Sequence, residues 1–261
     1  MRVLVTFAVE REFAPWRKLR PFNLLDYEGL KLRKTRIGPA EIYVLITGVG
    51  AQAASRSMDL MMGMADRDQH FDVCISGGLA GALCDTLNVN DIIAPKELIA
   101  QMQNPSLDSG RLQVDAELRQ MALRQGAKDA NCLFTSDEVL VKASQKKSCA
   151  SRAQSVDMES FEIVKQATAW GARNVVIRAI SDSATEDMPI DFNRTLSEKN
   201  EVSLSKVFVE LLKNPLALPG LIRFGKQSQE AGERLAGFLE NYLQSITGND
   251  FASQAKGVSA A

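Results

Sequence analysis

The chain predicts an α/β fold: one domain with a mixed, mostly parallel sheet and helices on both faces. Three observations point there. Apolar strand-like runs alternate with amphipathic helical stretches along most of the chain. The first run, Val3-Leu4-Val5-Thr6-Phe7, is almost wholly apolar, as a central strand should be. A later run, Asn174–Ile180, is mostly β-branched and apolar, yet it carries Arg178 and delivers Asp182 just past its end. In open α/β sheets ligands sit outside the carboxyl ends of the strands, so charge delivered there marks a candidate site.

Composition excludes several classes. At 261 residues the chain can bury a substantial core. A net charge of −1 leaves no electrostatic footprint for nucleic acid or an anionic membrane, and neither is expected as a partner. Cys74, Cys84, Cys132 and Cys149 are widely spaced without a CxxC pair, and His70 is the single histidine. That argues against a metal site and suits a reducing compartment. No segment has the apolar length to span a bilayer, and the N-terminus starts directly as a strand. A cytoplasmic location is expected.

Taken in order, Glu10 and Glu12 follow the first strand, and Pro15 suits the first turn of a short helix. Arg17, Lys18 and Arg20 read as a solvated face. Leu30–Arg36 and Glu41–Thr47 read as strands about the turn Gly38-Pro39. Gly48-Val49-Gly50-Ala51-Gln52-Ala53 imitates a dinucleotide fingerprint. The next strand, Phe71–Ile75, ends at Ser76 with no acid to take a ribose diol, so the glycines read instead as backbone that approaches a ligand or a strand closely. Met58, Met61, Met62 and Met64 in the following helix could line a pocket or an interface, although gap-filling core is the commoner use. Gly77, Gly78 and Gly81 are expected to form a tight loop with exposed amides, suited to an anion or a hydroxyl, or simply to a turn.

Next come a strand at Val89–Pro95, a polar turn at Asn104–Gly110, a helix at Val114–Gln125 closed by Gly126, and a strand at Asn131–Thr135. Ser155 onward is extended into Asp157-Met158-Glu159. A helix follows with Phe161, Val164, Ala167 and Trp170 at helical spacing, stopped by Gly171. After Asp182, the polar stretch Ser183–Thr195 holds Pro189 and Phe192 and could form a lid. Helices are expected at Val202–Leu212 and Ile222–Leu243, separated by a Pro215/Pro219 break. The domain is read as residues 1–247, with 212–247 a helical extension and 248–261 a disordered tail.

Singly, each charged residue has an ordinary structural explanation. Glu159 could meet a helix dipole, Asp182 could cap a turn, and Arg178 could pair with either. Together, an acid before a helix, an acid after a strand and a guanidinium between them can grip a polar, hydroxyl-bearing ligand.

Three segments, in order, resemble the nucleoside phosphorylase/nucleosidase superfamily, and most of all its methylthioadenosine/S-adenosylhomocysteine nucleosidases. They are AVEREF (8–13), DVCISGGLAGALCDTLNVNDIIAP (72–95), and VDMES with VVIRAISDSA (156–160 and 175–184). The resemblance implies a three-layer fold like that of purine and uridine phosphorylases. It implies that Glu159 holds the ribose hydroxyls with Met158 against the sugar. Asp182 would protonate the leaving purine at N7, with Ser181 orienting it. Glu12 would position the nucleophilic water, with Arg178 beside it. Val139 stands where an aromatic usually stacks on the base, and Val49, Gly78, Leu79, Leu140 and Phe192 would complete the lining.

The resemblance also implies no cofactor, a purine nucleoside carrying a 5′ modification as substrate, and a homo-oligomer, dimer or larger. Ser76 and Leu79 stand where bacterial hexameric phosphorylases hold phosphate with arginine and a hydroxyl side chain. That favours water over phosphate, although the nucleosidases also usually carry a serine at the place of Leu79. Asp157 replaces a more usual glutamate, and little is expected of the change. Two other readings stay open: a phosphorylase with a rearranged phosphate site, and a nucleoside-binding protein without turnover. Methylthioadenosine, futalosine and adenosylhopane are all substrates within the family, and the sequence does not choose among them.

Overall fold

The first strand, β1 (Arg2–Phe7), sits mid-sheet because nothing in it needs water: Val3, Leu4, Val5 and Thr6 are fully buried. In the computed structural model, which describes residues 1–27, 29–64, 70–100, 110–194 and 215–248, ten strands form one sheet. Strand β1 runs parallel to β4 (Ala40–Ile46) on one side and to β5 (Val73–Ala82) on the other. Beyond β4 the sheet continues antiparallel through β3 (Leu30–Ile37) and β2 (Asn23–Tyr27). Beyond β5 lies β10 (Arg173–Asp182), parallel to it, with Arg178 level with Gly78 and Asp182 level with Gly81.

The remaining strands bend the sheet into a closed circuit. Strand β10 meets β6 (Ile92–Ala100), which also carries the short β7 (Arg111–Gln113). Then β6 runs parallel to β8 (Lys128–Thr135), β8 to β9 (Ser155–Asp157), and β9 returns to β5. The carboxyl ends of β5, β9 and β10 are thereby brought together.

Helices cover both faces, and the alternation of β1 assigns them. Val3, Val5 and Phe7 join a core built with α1 (Glu10–Leu19), α3 (Ala116–Arg124) and the C-terminal α6 (Leu218–Thr247). Leu4 faces the other way, into a core built with α2 (Ala51–Met64) and α5 (Ser160–Ala169). Met58 and Met61 are buried there beside Tyr43, Phe71 and Cys74, as gap-filling core. Gly126 and Gly171 end their helices with φ of 96° and 77°, as their positions imply.

Helix α6 is the core's outer wall. Leu235, Leu239, Tyr242, Leu243 and Ile246 are fully buried along it. The Tyr242 hydroxyl donates to the Leu118 carbonyl at 2.8 Å, and Glu240 accepts from Trp16 Nε1 at 3.0 Å while pairing with Arg20. Arg20 is therefore a docking residue, not part of a solvated face.

Other local expectations also change. Pro15 lies inside α1, not in its first turn, because the helix already begins at Glu10. The glycine segment after Ser76 is no loop: β5 runs straight through Gly77, Gly78 and Gly81. Strand β6 starts only at Ile92, since Asn90 takes a left-handed φ of 74° just before it. Strand β2 and a short helix, α4 (Ala143–Cys149), were not anticipated. The expected helix at Val202–Leu212, most of the Asn104–Gly110 turn and the tail from 249 onward lie outside the described residues. Among the described residues no helix is long and apolar enough to cross a membrane.

Since Leu239 is fully buried between α6 and the sheet, Leu239→Ala should destabilise the protein by about 2–5 kcal/mol. Urea unfolding followed by circular dichroism measures this directly.

Candidate active site

The site begins with the carboxylate that starts α1. Glu12 Oε2 accepts from the amides of Ala8 at 3.0 Å and Val9 at 3.4 Å, and its Oε1 accepts from the Leu79 amide at 2.9 Å. One side chain thus caps its own helix and ties it to β5. The glycines of β5 make room for what lies opposite. A Cβ on Gly78 would fall 2.0 Å from Arg178 Nη1 and 3.2 Å from Glu12 Oε1, and one on Gly81 would fall 2.9 Å from Asp182 Oδ2. Gly78 also holds a φ of 147°, which side chains rarely permit. The reason for glycine here is close approach across the sheet, not a turn.

Arg178 is 1% exposed and fully engaged at its ends. Its Nη1 donates to the Gly77 carbonyl at 2.7 Å, and its Nη2 donates to Ser160 Oγ at 2.8 Å and Ser76 Oγ at 3.1 Å. Its counter-charge is Asp157, at 2.6 Å and equally buried. Asp157 also accepts from Thr135 Oγ1 at 2.8 Å and the Ser160 amide at 3.2 Å. The position of which little was expected is therefore the charge that makes a buried arginine tolerable.

Glu159 sits at the N-cap position of α5, 5% exposed, with Oε1 accepting from the Gly50 amide at 2.8 Å. Gly48 and Gly50 hold φ of 86° and 90°, which present that amide. Val49 lies between them, and Met158 precedes the acid, both partly buried. Burial pushes the Glu159 carboxyl up to about 8, reinforced by Asp157 and Glu12 and opposed by Arg178. Burial also raises Glu12, against the pull of Arg178 and the three backbone amides. Glu12, Glu159, Asp157 and Arg178 thus act as one electrostatic group.

Asp182 ends β10 four positions beyond Arg178 and belongs to a second group. Ser181 Oγ donates to its Oδ1 at 2.8 Å. Its Oδ2 lies 2.6 Å from Nζ of Lys146, a residue of α4 that is buried to 1%. Sequence reasoning missed Lys146, because a lysine beside Gln145, Lys147 and Ser148 carries no signal of burial. It also missed Asn193, whose side-chain amide grips Val139, accepting from its amide at 2.8 Å and donating to its carbonyl at 3.0 Å.

The Val139 pair and a bond from the Met188 amide to the Val141 carbonyl lace the segment after Asp182 onto the segment around Val139. Phe192 packs against Phe224 of α6 at 5.2 Å between ring centroids. Leu140 packs into a small core with Leu83, Phe134 and Val156. A cavity of about 520 Å³ lies between these segments, lined by Glu138, Lys142, Met188, Ile190, Asp191 and Asn193 among others, outside the carboxylate group.

Buried carboxylates and a buried guanidinium gather at the carboxyl ends of parallel strands of an α/β protein, the place where open sheets of this class bind ligands. A family model described as the phosphorylase superfamily matches residues 2–213, and the chain belongs to that superfamily. Helix α6 lies beyond the matched residues. A 5′-methylthioadenosine/S-adenosylhomocysteine nucleosidase of Glaesserella parasuis is 24% identical over 211 residues, covering 74% of this chain and 89% of its own length. One from Shewanella putrefaciens is 26% identical over 186 residues, covering 63% and 78%. Among solved structures, S-adenosylhomocysteine nucleosidase of Streptococcus pyogenes superposes with a TM-score of 0.72 at 17% identity, covering 95% of this chain and 98% of that one. A futalosine hydrolase mutant of Helicobacter pylori gives 0.69 at 16% identity, covering 94% and 99%.

The Glu159 environment makes a pH prediction with a fixed sign. A carboxyl raised by folding keeps its proton where the unfolded chain has lost it. Its contribution is therefore fully present below the ordinary value of 4.5 and declines as pH rises toward about 8. Glu159→Gln cannot ionise and escapes that decline. Its melting temperature should exceed the wild type's by roughly 4 °C near pH 8, and the difference should vanish near pH 4.5. Thermal melts across that range test it, and parallel curves would contradict it.

Proposed function

We propose that this chain is a purine nucleosidase that hydrolyses the N-glycosidic bond of a 5′-modified adenine nucleoside. The observation that carries the reading is the Glu12 carboxylate, held by the amides of Ala8, Val9 and Leu79 beside Arg178, with Glu159 in the same electrostatic group. Burial raises its pKa, the direction that makes a carboxylate a stronger base. The nucleosidase activity named for the curated relatives supports the same reaction.

In this mechanism the bond from the sugar C1′ to the base breaks, and its electron pair leaves with the purine. Asp182 gives a proton to N7 of the departing base, with Ser181 orienting the carboxyl. Water adds to C1′ as its proton passes to Glu12. The sugar passes through an oxocarbenium-like state, as in other glycoside hydrolysis. The carboxyls of Glu12 and Glu159 face that positive charge. Glu159 binds the ribose hydroxyls, with Met158 and Val49 against the sugar. Val139 bounds the base, and Phe192 lies on the segment that covers it.

Water is favoured over phosphate by the contents of the nucleophile side. The Leu79 side chain donates nothing, Ser76 Oγ is hydrogen-bonded to Arg178, and both terminal nitrogens of Arg178 are committed to protein acceptors. Among the described residues the buried Nε–H of Arg178 has no protein partner, but a single free donor compensates a buried dianion poorly.

Adenine release from methylthioadenosine, S-adenosylhomocysteine, adenosine and inosine tests the assignment. Glu12→Gln and Asp182→Asn should each lower kcat by about 10²–10⁴-fold while KM changes little. Near-full activity of Glu12→Gln would overturn the hydrolytic role.

A further inference from the structure

Lys146 is a cation for which the proposed reaction has no evident use. Its Nζ lies 2.6 Å from Asp182 Oδ2, 2.7 Å from the Ser183 carbonyl and 3.2 Å from the Glu186 carbonyl. Three acceptors around one amine nitrogen call for three N–H bonds, so the group is an ammonium. A cation buried to this extent is costly unless it is paired. The third partner is the acid itself.

Among the described residues, neighbouring charges leave Lys146 as the cation facing Asp182. From the segment after β10, Asp187 pairs with Lys142 of the α4 N-cap at 2.9 Å, and Glu186 pairs with Arg223 of α6 at 3.5 Å. From β9, Asp157 pairs with Arg178 of β10 at 2.6 Å. Strand β5 offers Gly81, without a side chain. The second oxygen of Asp182 accepts from Ser181.

We propose that Lys146 is the positioning residue of Asp182, fixing the orientation and the charge of its carboxyl group and linking both to the segment that follows β10. The proposal rests on reading Asp182 as the acid at the base. In that reading the purine takes its proton from Asp182, and the carboxylate left behind is stabilised by Lys146 until it regains a proton from solvent. Loss of Lys146 should therefore slow the chemical step while leaving nucleoside binding largely intact. Through the Ser183 and Glu186 carbonyls, movement of the covering segment would also move the acid.

The pairing is read in the full-length protein by a thermal double-mutant cycle of Lys146→Met and Asp182→Asn. The two losses of melting temperature should be clearly non-additive, because each variant removes the same contact. Lys146→Arg, which keeps the charge, should melt closer to the wild type than Lys146→Met does. Strictly additive losses would overturn the proposal. If Lys146→Met fails to fold around the unpaired carboxylate, Lys146→Gln, which is neutral but still donates, takes its place in the cycle.

Kinetics on the same variants separate this proposal from the functional reading. In Lys146→Met kcat should fall by about tenfold or more with less change in KM, and Lys146→Arg should recover most of the rate. A non-additive cycle with a wild type that releases no base would refute Asp182 as the acid and leave the pairing standing. A kcat unchanged in Lys146→Met would overturn the positioning role.

Discussion

A guanidinium buried in the middle of a sheet is the constraint around which this structure is arranged. Arg178 can lie there only because Asp157 meets it from the end of β9, and because Ser76, Gly77 and Ser160 accept from its terminal nitrogens. Those partners come from two strands and the first turn of α5, so the pair fixes how three elements meet. Removing one charge would leave the other buried alone, at a cost of about 3–5 kcal/mol. The same guanidinium requires glycine at position 78, where a Cβ would fall 2.0 Å away.

That constraint sets the electrostatics of the ligand side. Glu12 and Glu159 are buried near one another, and burial raises both, while Arg178 restrains the rise. The result is a pair of carboxyls that both hold their protons more tightly than exposed ones, held in place by backbone amides and not by mobile side chains. Fixed donors of this kind need little rearrangement when charge develops on a ligand. At the other end of β10, Asp182 is held by Lys146 and Ser181. The two ends of one site thus rest on different supports: a backbone cradle for Glu12, and a charged staple for Asp182.

How much of this was legible follows the range of each interaction. Strand β1, helix α5 and the helix stops at Gly126 and Gly171 depend on local apolar spacing and left-handed glycine, and both can be read from neighbouring residues. The fold class and the segments holding Glu12, Glu159 and Asp182 were legible for the same reason. The glycines of β5 were misread as a loop because what makes them necessary, Arg178, lies about a hundred positions away in sequence. Asp157 was undervalued for the same cause: its partner is visible only once β9 and β10 are both paired with β5. Lys146 left no trace, since a polar helix looks alike whether one lysine points outward or into a carboxylate. Arg20 looked solvated until α6 returned to meet it.

The central claim is that water, positioned by Glu12, is what reaches the sugar. Base release in H₂¹⁸O with phosphate present, followed by mass analysis of the sugar product, tests that claim most directly. Hydrolysis gives free sugar carrying ¹⁸O at C1′, in equal yield with or without phosphate, when the product is analysed before its anomeric oxygen exchanges. A sugar 1-phosphate without ¹⁸O at C1′, formed only when phosphate is supplied, would contradict it.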